Sequence, residues 1–288
     1  MQTRRIGDVA VSAIGLGGMQ LSIEGRPDEQ RSVATVHAAL DAGVTLIDTA
    51  DAYHQHAGEV GHNESLIARA LASYGGDTSG ILIATKGGHL RPGDGSWTVD
   101  GSPEHLRQAC DASLKRLGVD AIGLYQFHRP DPKVDYADSV GAIRDLLDAG
   151  KIRMAGISNA NPDQIRQADE ILDRRLVSVQ NQFSPAFRSS EPELELCDEL
   201  GIAFLVWGPL AGASRAADLG SRFTPFAEVG RAHGVSPQRV CLAWMLAKSP
   251  VVIPIPGSSR PETIRDSVEA IDLRLSADEI TTLDAVGH

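Results

Sequence analysis

The chain of 288 residues is 42% hydrophobic and 23% charged, enough for a substantial core in one large domain or two ordinary ones. A formal net charge of −11 works against nucleic acid or an anionic membrane as the main partner, although a local basic pocket for a phosphate remains compatible with it. Three cysteines, Cys110, Cys197 and Cys241, lack metal-ligand spacing and fall in helical patterns, so buried free thiols in a reducing cytoplasm are expected.

The N-terminal stretch MQTRRIGDVAVSAIGLGG has two early arginines but no signal-peptide pattern, and no segment reaches the ~18 consecutive apolar residues of a membrane span. Gly7-Asp8 between short extended runs predicts a small hairpin that caps one end of the fold. Eight apolar, β-rich runs follow, at 14–16, 46–48, 81–85, 123–128, 154–158, 177–181, 203–206 and 251–253. Helical patterns separate them. SPEHL, NPDQI and SPQRV each place a Ser or Asn cap before a proline at the first helical position, and SADE at 276–279 reads as a capping box. A final helix is expected to run to about 286, with no long segment after it to fold over the mouth. Near-continuous hydrophobic strands alternating with helices argue for a parallel sheet buried on both faces. A (β/α)8 TIM barrel with an N-terminal β-hairpin cap is the simplest closed solution, and without linkers or repeats the whole of 1–288 reads as a single domain.

In such a barrel chemistry gathers where strands end. Four runs here end in reactive side chains: Asp48, Lys86, His128 and the pair Ser158-Asn159. A buried carboxylate such as Asp48 needs a counter-charge, and Lys86 supplies one if the two strands are neighbours. Tyr53, five residues beyond Asp48, then becomes a third member. Its phenolate is favoured by the nearby ammonium, so its pKa is expected to move down. With His128 donating to the same oxygen, this tetrad suits protonation of a carbonyl oxygen while a hydride reaches its carbon.

The blocks DTADAY, ATKGG, LYQFHRPD, GKIRMAGISN and IPIPGSSRPE resemble, in order, the signature blocks of the aldo-keto reductase family over nearly the whole chain. The resemblance implies a barrel that binds an extended NAD(P)H at its C-terminal face, with Tyr53 as general acid, Lys86 and Asp48 as its tuning pair, and His128 as orienting donor. It also implies that Ser158, Asn159 and Gln180 hold the nicotinamide carboxamide and that Trp207 stacks on its ring. Gly208, Pro209, Leu210 and Gly212, in GPLAGA, let backbone approach the pyrophosphate, and Gly18 and Met19 bring the first strand close. Pro256, Gly257, Ser258, Ser259 and Arg260 meet the adenosine end at a helix N-terminus that favours a phosphate, with Thr263, Asp266 and Ser267 nearby. Many relatives carry Lys, Arg and Asn at Gly257, Thr263 and Ser267.

NADPH is therefore the expected cofactor, with NADH second, and a small carbonyl compound the expected substrate. His54, His89 and Trp97 are candidate substrate walls, the last two in the Gly-rich loop GGHLRPGDGSWTVDG, read as an irregular rim. His54, His56 and His62 lack a metal-site pattern, and no metal is expected. Two other readings stay open: a slow NADPH-binding redox-sensing subunit, and a Schiff-base lyase or isomerase built on Lys86.

Overall fold

The structure, a computed structural model, describes residues 2–212 and 215–287. The hairpin forms first, with β1 (Thr3–Ile6) and β2 (Val9–Ser12) paired antiparallel across Gly7, whose φ of 55° is a left-handed angle that glycine adopts without strain. There follow β3 (Leu16–Gly17), α1 (Glu29–Asp41), β4 (Leu46–Asp48), α2 (His62–Ser73) and β5 (Leu82–Gly87). A second hairpin, β6 (His89–Leu90) with β7 (Thr98–Val99), precedes α3 (Pro103–Leu117), β8 (Ile122–Phe127), α4 (Tyr136–Asp148) and β9 (Ile152–Ser158). The chain continues through α5 (Pro162–Ile171), β10 (Leu176–Gln182), α6 (Glu191–Leu200) and β11 (Ala203–Trp207). It ends with α7 (Leu219–Arg222), α8 (Thr224–His233), α9 (Pro237–Lys248), β12 (Val252–Pro254), α10 (Pro261–Val268) and α11 (Ala277–Asp284).

Eight strands, β3, β4, β5, β8, β9, β10, β11 and β12, pair in that spatial order, and every pairing is parallel. The sheet closes on itself beyond its last regular pairs. Gly15 N donates to Pro254 O (2.9 Å), Gly17 N donates to Pro256 O (3.0 Å), and Gly17 bridges Gly257 in parallel. Only glycine fits this seam, because a Cβ on Gly17 would stand 2.6 Å from the Ile255 carbonyl oxygen. The result is the (β/α)8 barrel the strand runs predicted.

Two apolar cores follow from the two faces of each strand. Inside, Leu46, Leu82, Ala84, Leu124, Met154, Ala203, Leu205 and Ile253 pack with Ile6 and Val11 of the hairpin, which therefore plugs one end. Ser12 and Thr45 strap it there by reciprocal bonds, N to Oγ1 at 2.7 Å and N to Oγ at 3.0 Å. Outside, the alternate residues Ile47, Tyr125, Phe127, Ala155, Ile157, Val179, Phe204 and Val206 meet the helices.

The local helix signals act as expected. Ser102, Asn161, Ser236 and Ser276 each accept the backbone N–H three residues on. Two expectations are refined and one feature is new. The loop after β5 is only partly irregular, since β6 and β7 pair within it while 91–97 between them forms no strand or helix. The last helix ends at Asp284, two residues before 286. The helices α7 and α8, inserted between β11 and α9, were not foreseen.

Candidate active site

Period-two alternation explains how core strands end in chemistry. Along β4 the inward series runs Leu46, Asp48; along β5, Leu82, Ala84, Lys86; and along β8, Leu124, Gln126 and then His128. Each series is apolar near the hairpin and polar at the opposite end. β9 finishes on Ser158, β10 presents Gln180, and β11 finishes on Trp207. The polar ends converge because all eight strands run the same way.

Lys86 is fully buried, and its ammonium meets three acceptors: Asp48 Oδ2 at 2.7 Å, the Thr49 carbonyl at 2.9 Å and the Tyr53 hydroxyl oxygen at 3.0 Å. An ammonium has three donors, so none is left over. Gln180 Nε2 donates to the other Asp48 oxygen at 2.8 Å. Burial alone would pull the Lys86 ammonium down, but Asp48 and Tyr53 outweigh it, and its pKa lies above the ordinary lysine value. Because the Tyr53 oxygen accepts from Lys86, its own O–H is free for another oxygen. Tyr53 departs from the expected direction, however. Burial pushes its pKa above that of a free phenol, and the pull of Lys86 only partly offsets this. The phenol consequently keeps its proton throughout the neutral range.

The Tyr53 and His128 rings meet edge to face, with centroids 5.7 Å apart. Burial, followed by the charge of Lys86, depresses the His128 pKa far below that of free histidine, leaving a neutral ring whose buried Nδ1 has no partner. His89 packs edge-on against His128, with centroids 4.8 Å apart, and lies tilted at 32° against Trp97, at 4.7 Å. Burial, then Arg129, lowers its pKa to about 4.

These groups open into a cleft of about 820 Å³ that crosses the C-terminal mouth of the barrel. Met19, Asp48, Tyr53, His128, Ser158, Asn159 and Gln180 line it near the tetrad. Trp207, Gly208, Pro209, Leu210 and Gly212 continue it, and Pro256, Gly257, Ser258, Ser259, Arg260 and Thr263 form the far end. The carboxamide of Asn159 is held by its neighbours: Nδ2 donates to the His128 carbonyl and to Ser158 Oγ, both at 3.0 Å. Ser158 Oγ donates in turn to the Gln180 carbonyl at 2.7 Å. The Trp207 indole Nε1 is buried without a partner. A long cleft with amide groups in the middle, the flat ring of Trp207 beyond them and the Arg260 cation at a helix N-terminus matches the chemistry of an extended nicotinamide dinucleotide.

The family model described as Aldo/keto reductase family matches residues 13–288. This chain belongs to the aldo/keto reductase family. An uncharacterized oxidoreductase of Schizosaccharomyces pombe is 36% identical, aligned over 99% of this chain and 90% of its own length. A 6-dehydroglucose reductase of Novosphingobium aromaticivorans is 34% identical, over 92% of this chain and 88% of its own. Among solved structures, the glycerol dehydrogenase AKR11B4 of Gluconobacter oxydans superposes with a TM-score of 0.85 at 27% identity, covering 99% of this chain and 94% of that one.

Not every candidate residue of this aldo/keto reductase reaches the cleft. His54 is buried outside it, with Nδ1 bonded to the His56 carbonyl at 2.8 Å. Gly18 lies beneath the floor and donates its N–H to the Asp48 carbonyl at 2.7 Å. Asp266 faces α9 and accepts from Ser236 Oγ (2.5 Å) and from Arg239 Nη2 (2.6 Å). Ser267 turns its hydroxyl to the Thr263 carbonyl at 3.0 Å. Ser258 does line the cleft, but its Oγ donates to the Arg260 carbonyl at 2.9 Å, so it already serves its own turn. Ala213, in the Gly-rich stretch after β11, lies outside the described residues. Conversely, Gln20, Thr98, Val99, Arg129, Ala216 and Ala217 line the cleft without having been singled out. Arg129 alone had a visible signal, its place directly after His128. Among the described residues no group of three or more His, Cys, Asp or Glu is placed to hold a metal ion, and no helix is long and apolar enough to cross a membrane.

Proposed function

We propose that this aldo/keto reductase uses NADPH to reduce small aldehydes or ketones to alcohols. One observation carries the reading: a protonated, buried Tyr53 accepts from a Lys86 ammonium at 3.0 Å and keeps its own proton available at the cleft. When bound, the nicotinamide supplies the hydride. The chain's own residues do the rest. Tyr53 gives its proton to the substrate oxygen as charge develops there. Lys86 stabilises the phenolate left behind, the state that burial makes costly. Asp48 keeps Lys86 charged, and Gln180 occupies the remaining carboxylate oxygen. Neutral His128 orients the carbonyl beside Tyr53 without adding a second positive charge.

Ser158, Asn159 and Gln180 would hold the carboxamide, Trp207 the nicotinamide ring, and 256–260 the adenosine phosphate. The Schiff-base alternative finds little support, because Lys86 Nζ is charged and all three of its donors are engaged, whereas an attacking amine must be neutral and free.

The test is Tyr53→Phe with an aldehyde panel. Reduction should fall by about a hundredfold to ten-thousandfold, the usual contribution of a general acid, while NADPH binding measured by fluorescence persists. A variant that kept most of the wild-type rate would sink the mechanism. Uniformly slow turnover by wild type, with a protein that co-purifies, would favour the redox-sensing subunit instead.

A further inference from the structure

The cleft holds a cation that the proposed reduction does not use. Arg129 leaves β8 directly after His128 and lines the cleft beside the tetrad. Its guanidinium makes one hydrogen bond, from Nη2 to the neutral Asn159 Oδ1 at 3.1 Å, and its Nε is buried with no partner. No carboxylate pairs with it among the described residues, and burial lowers its pKa unopposed by any acid. It stays charged nonetheless, since guanidinium does not deprotonate in proteins. Arg91, by contrast, lies under Trp97 and is matched by Glu24 at 2.5 Å.

Among the described residues no acid compensates Arg129. Asp48 is the only acid among the described residues that lines the cleft, and it is spent on Lys86 and Gln180. A half-buried cation left in this state costs stability that an anionic ligand would restore. The cofactor is the wrong source for that anion: β8 and β12 are four places apart in the eight-stranded order, so Arg129 faces the phosphate end at 256–260 from across the barrel. Its own side of the mouth carries the flat rings of His89, Trp97 and His128.

Resting on the reductase reading, we propose that Arg129 is a specificity-determining residue that selects aromatic aldehydes bearing a carboxylate, gripping the carboxylate with its fork while the carbonyl lies at Tyr53.

The experiment compares kcat/KM for 3- and 4-formylbenzoate with that for their methyl esters, in wild type, Arg129→Gln and Arg129→Lys, with NADPH affinity measured alongside. Wild type should favour at least one acid over its ester by about tenfold or more, mainly through KM, with the preference shrinking as salt is raised. Arg129→Gln should erase the preference, and Arg129→Lys should keep part of it. Acids and esters reduced alike by wild type would overturn this inference alone, and so would a preference that survives Arg129→Gln. An Arg129→Gln enzyme with an unchanged ratio but weaker NADPH binding would hand the residue to the cofactor, which also overturns it. Failure to reduce any aldehyde would remove the reductase reading and this inference together. Should Arg129→Gln not fold, the wild-type ratio and its salt dependence decide the matter.

Discussion

The Lys86–Asp48 pair shows how much a single side chain carries here. Removing one partner of a buried, hydrogen-bonded pair strands the other charge at a cost of about 3–5 kcal/mol. Lys86→Met should therefore lose carbonyl reduction and also unfold at markedly lower denaturant; a fully stable, active variant would separate Lys86 from the site. Asp51 poses the opposite case. It is 4% exposed, its Oδ1 has no partner, and burial, reinforced by nearby Glu64, raises its pKa to about 8. An unfolded aspartate titrates near 4, so between about pH 4 and 8 unfolding releases a proton. The contribution of Asp51 is thus fully present below about pH 4 and is lost as pH rises through 8. Asp51→Asn should match the parent at or below about pH 4 and exceed it at pH 9, on the order of a few kcal/mol, in urea titrations at the two pH values. Equal destabilisation at both would mean that the carboxyl is charged in the fold.

At the scale of elements, α10 and the turn before it form the far end of the cleft. Arg260 stands at the N-terminus of α10, its side chain 55% exposed, with Glu262 at 3.7 Å. Exposure and that neighbour weaken any grip on a 2′-phosphate, since solvent screens the charge. Arg260→Ala is accordingly expected to narrow the NADPH over NADH preference by a few-fold to roughly tenfold. Fluorescence titration finding equal affinity for both cofactors in wild type would refute the phosphate assignment. The partners of Asp266 show why the sequence misread this helix. Its position three residues beyond Thr263 was legible, but the face it turns to Arg239 depends on how α10 packs against α9.

The whole molecule sets the breadth of the reaction. The mouth of about 820 Å³ is walled by the hairpin of β6 and β7 and by the segment after β11. A largely apolar wall discriminates weakly, because one methylene is worth only ~1–3 kcal/mol in a hydrophobic pocket. Several unrelated aldehydes, aromatic ones included, should be reduced with weak affinity for each. A panel in which one compound reacts and its close analogues do not would point instead to a rim that closes on binding.

What the sequence determined by itself is what short-range physics controls. Apolar runs of the right length marked the eight strands, Ser-Pro and Asn-Pro pairs set three helix starts, Gly7 set the hairpin, and period two carried Asp48, Lys86 and His128 to one end of the barrel. The tertiary structure decided whatever sums over many neighbours. Lys86 beside Tyr53 was readable, but the direction of the Tyr53 pKa was not, because burial contributed from every side outweighs the one charge that sequence reasoning could see. His54 follows Tyr53 directly yet turns away from the cleft. Arg129 sits in plain view after His128, but that no acid meets it becomes visible only once eight strand ends are gathered around a single mouth.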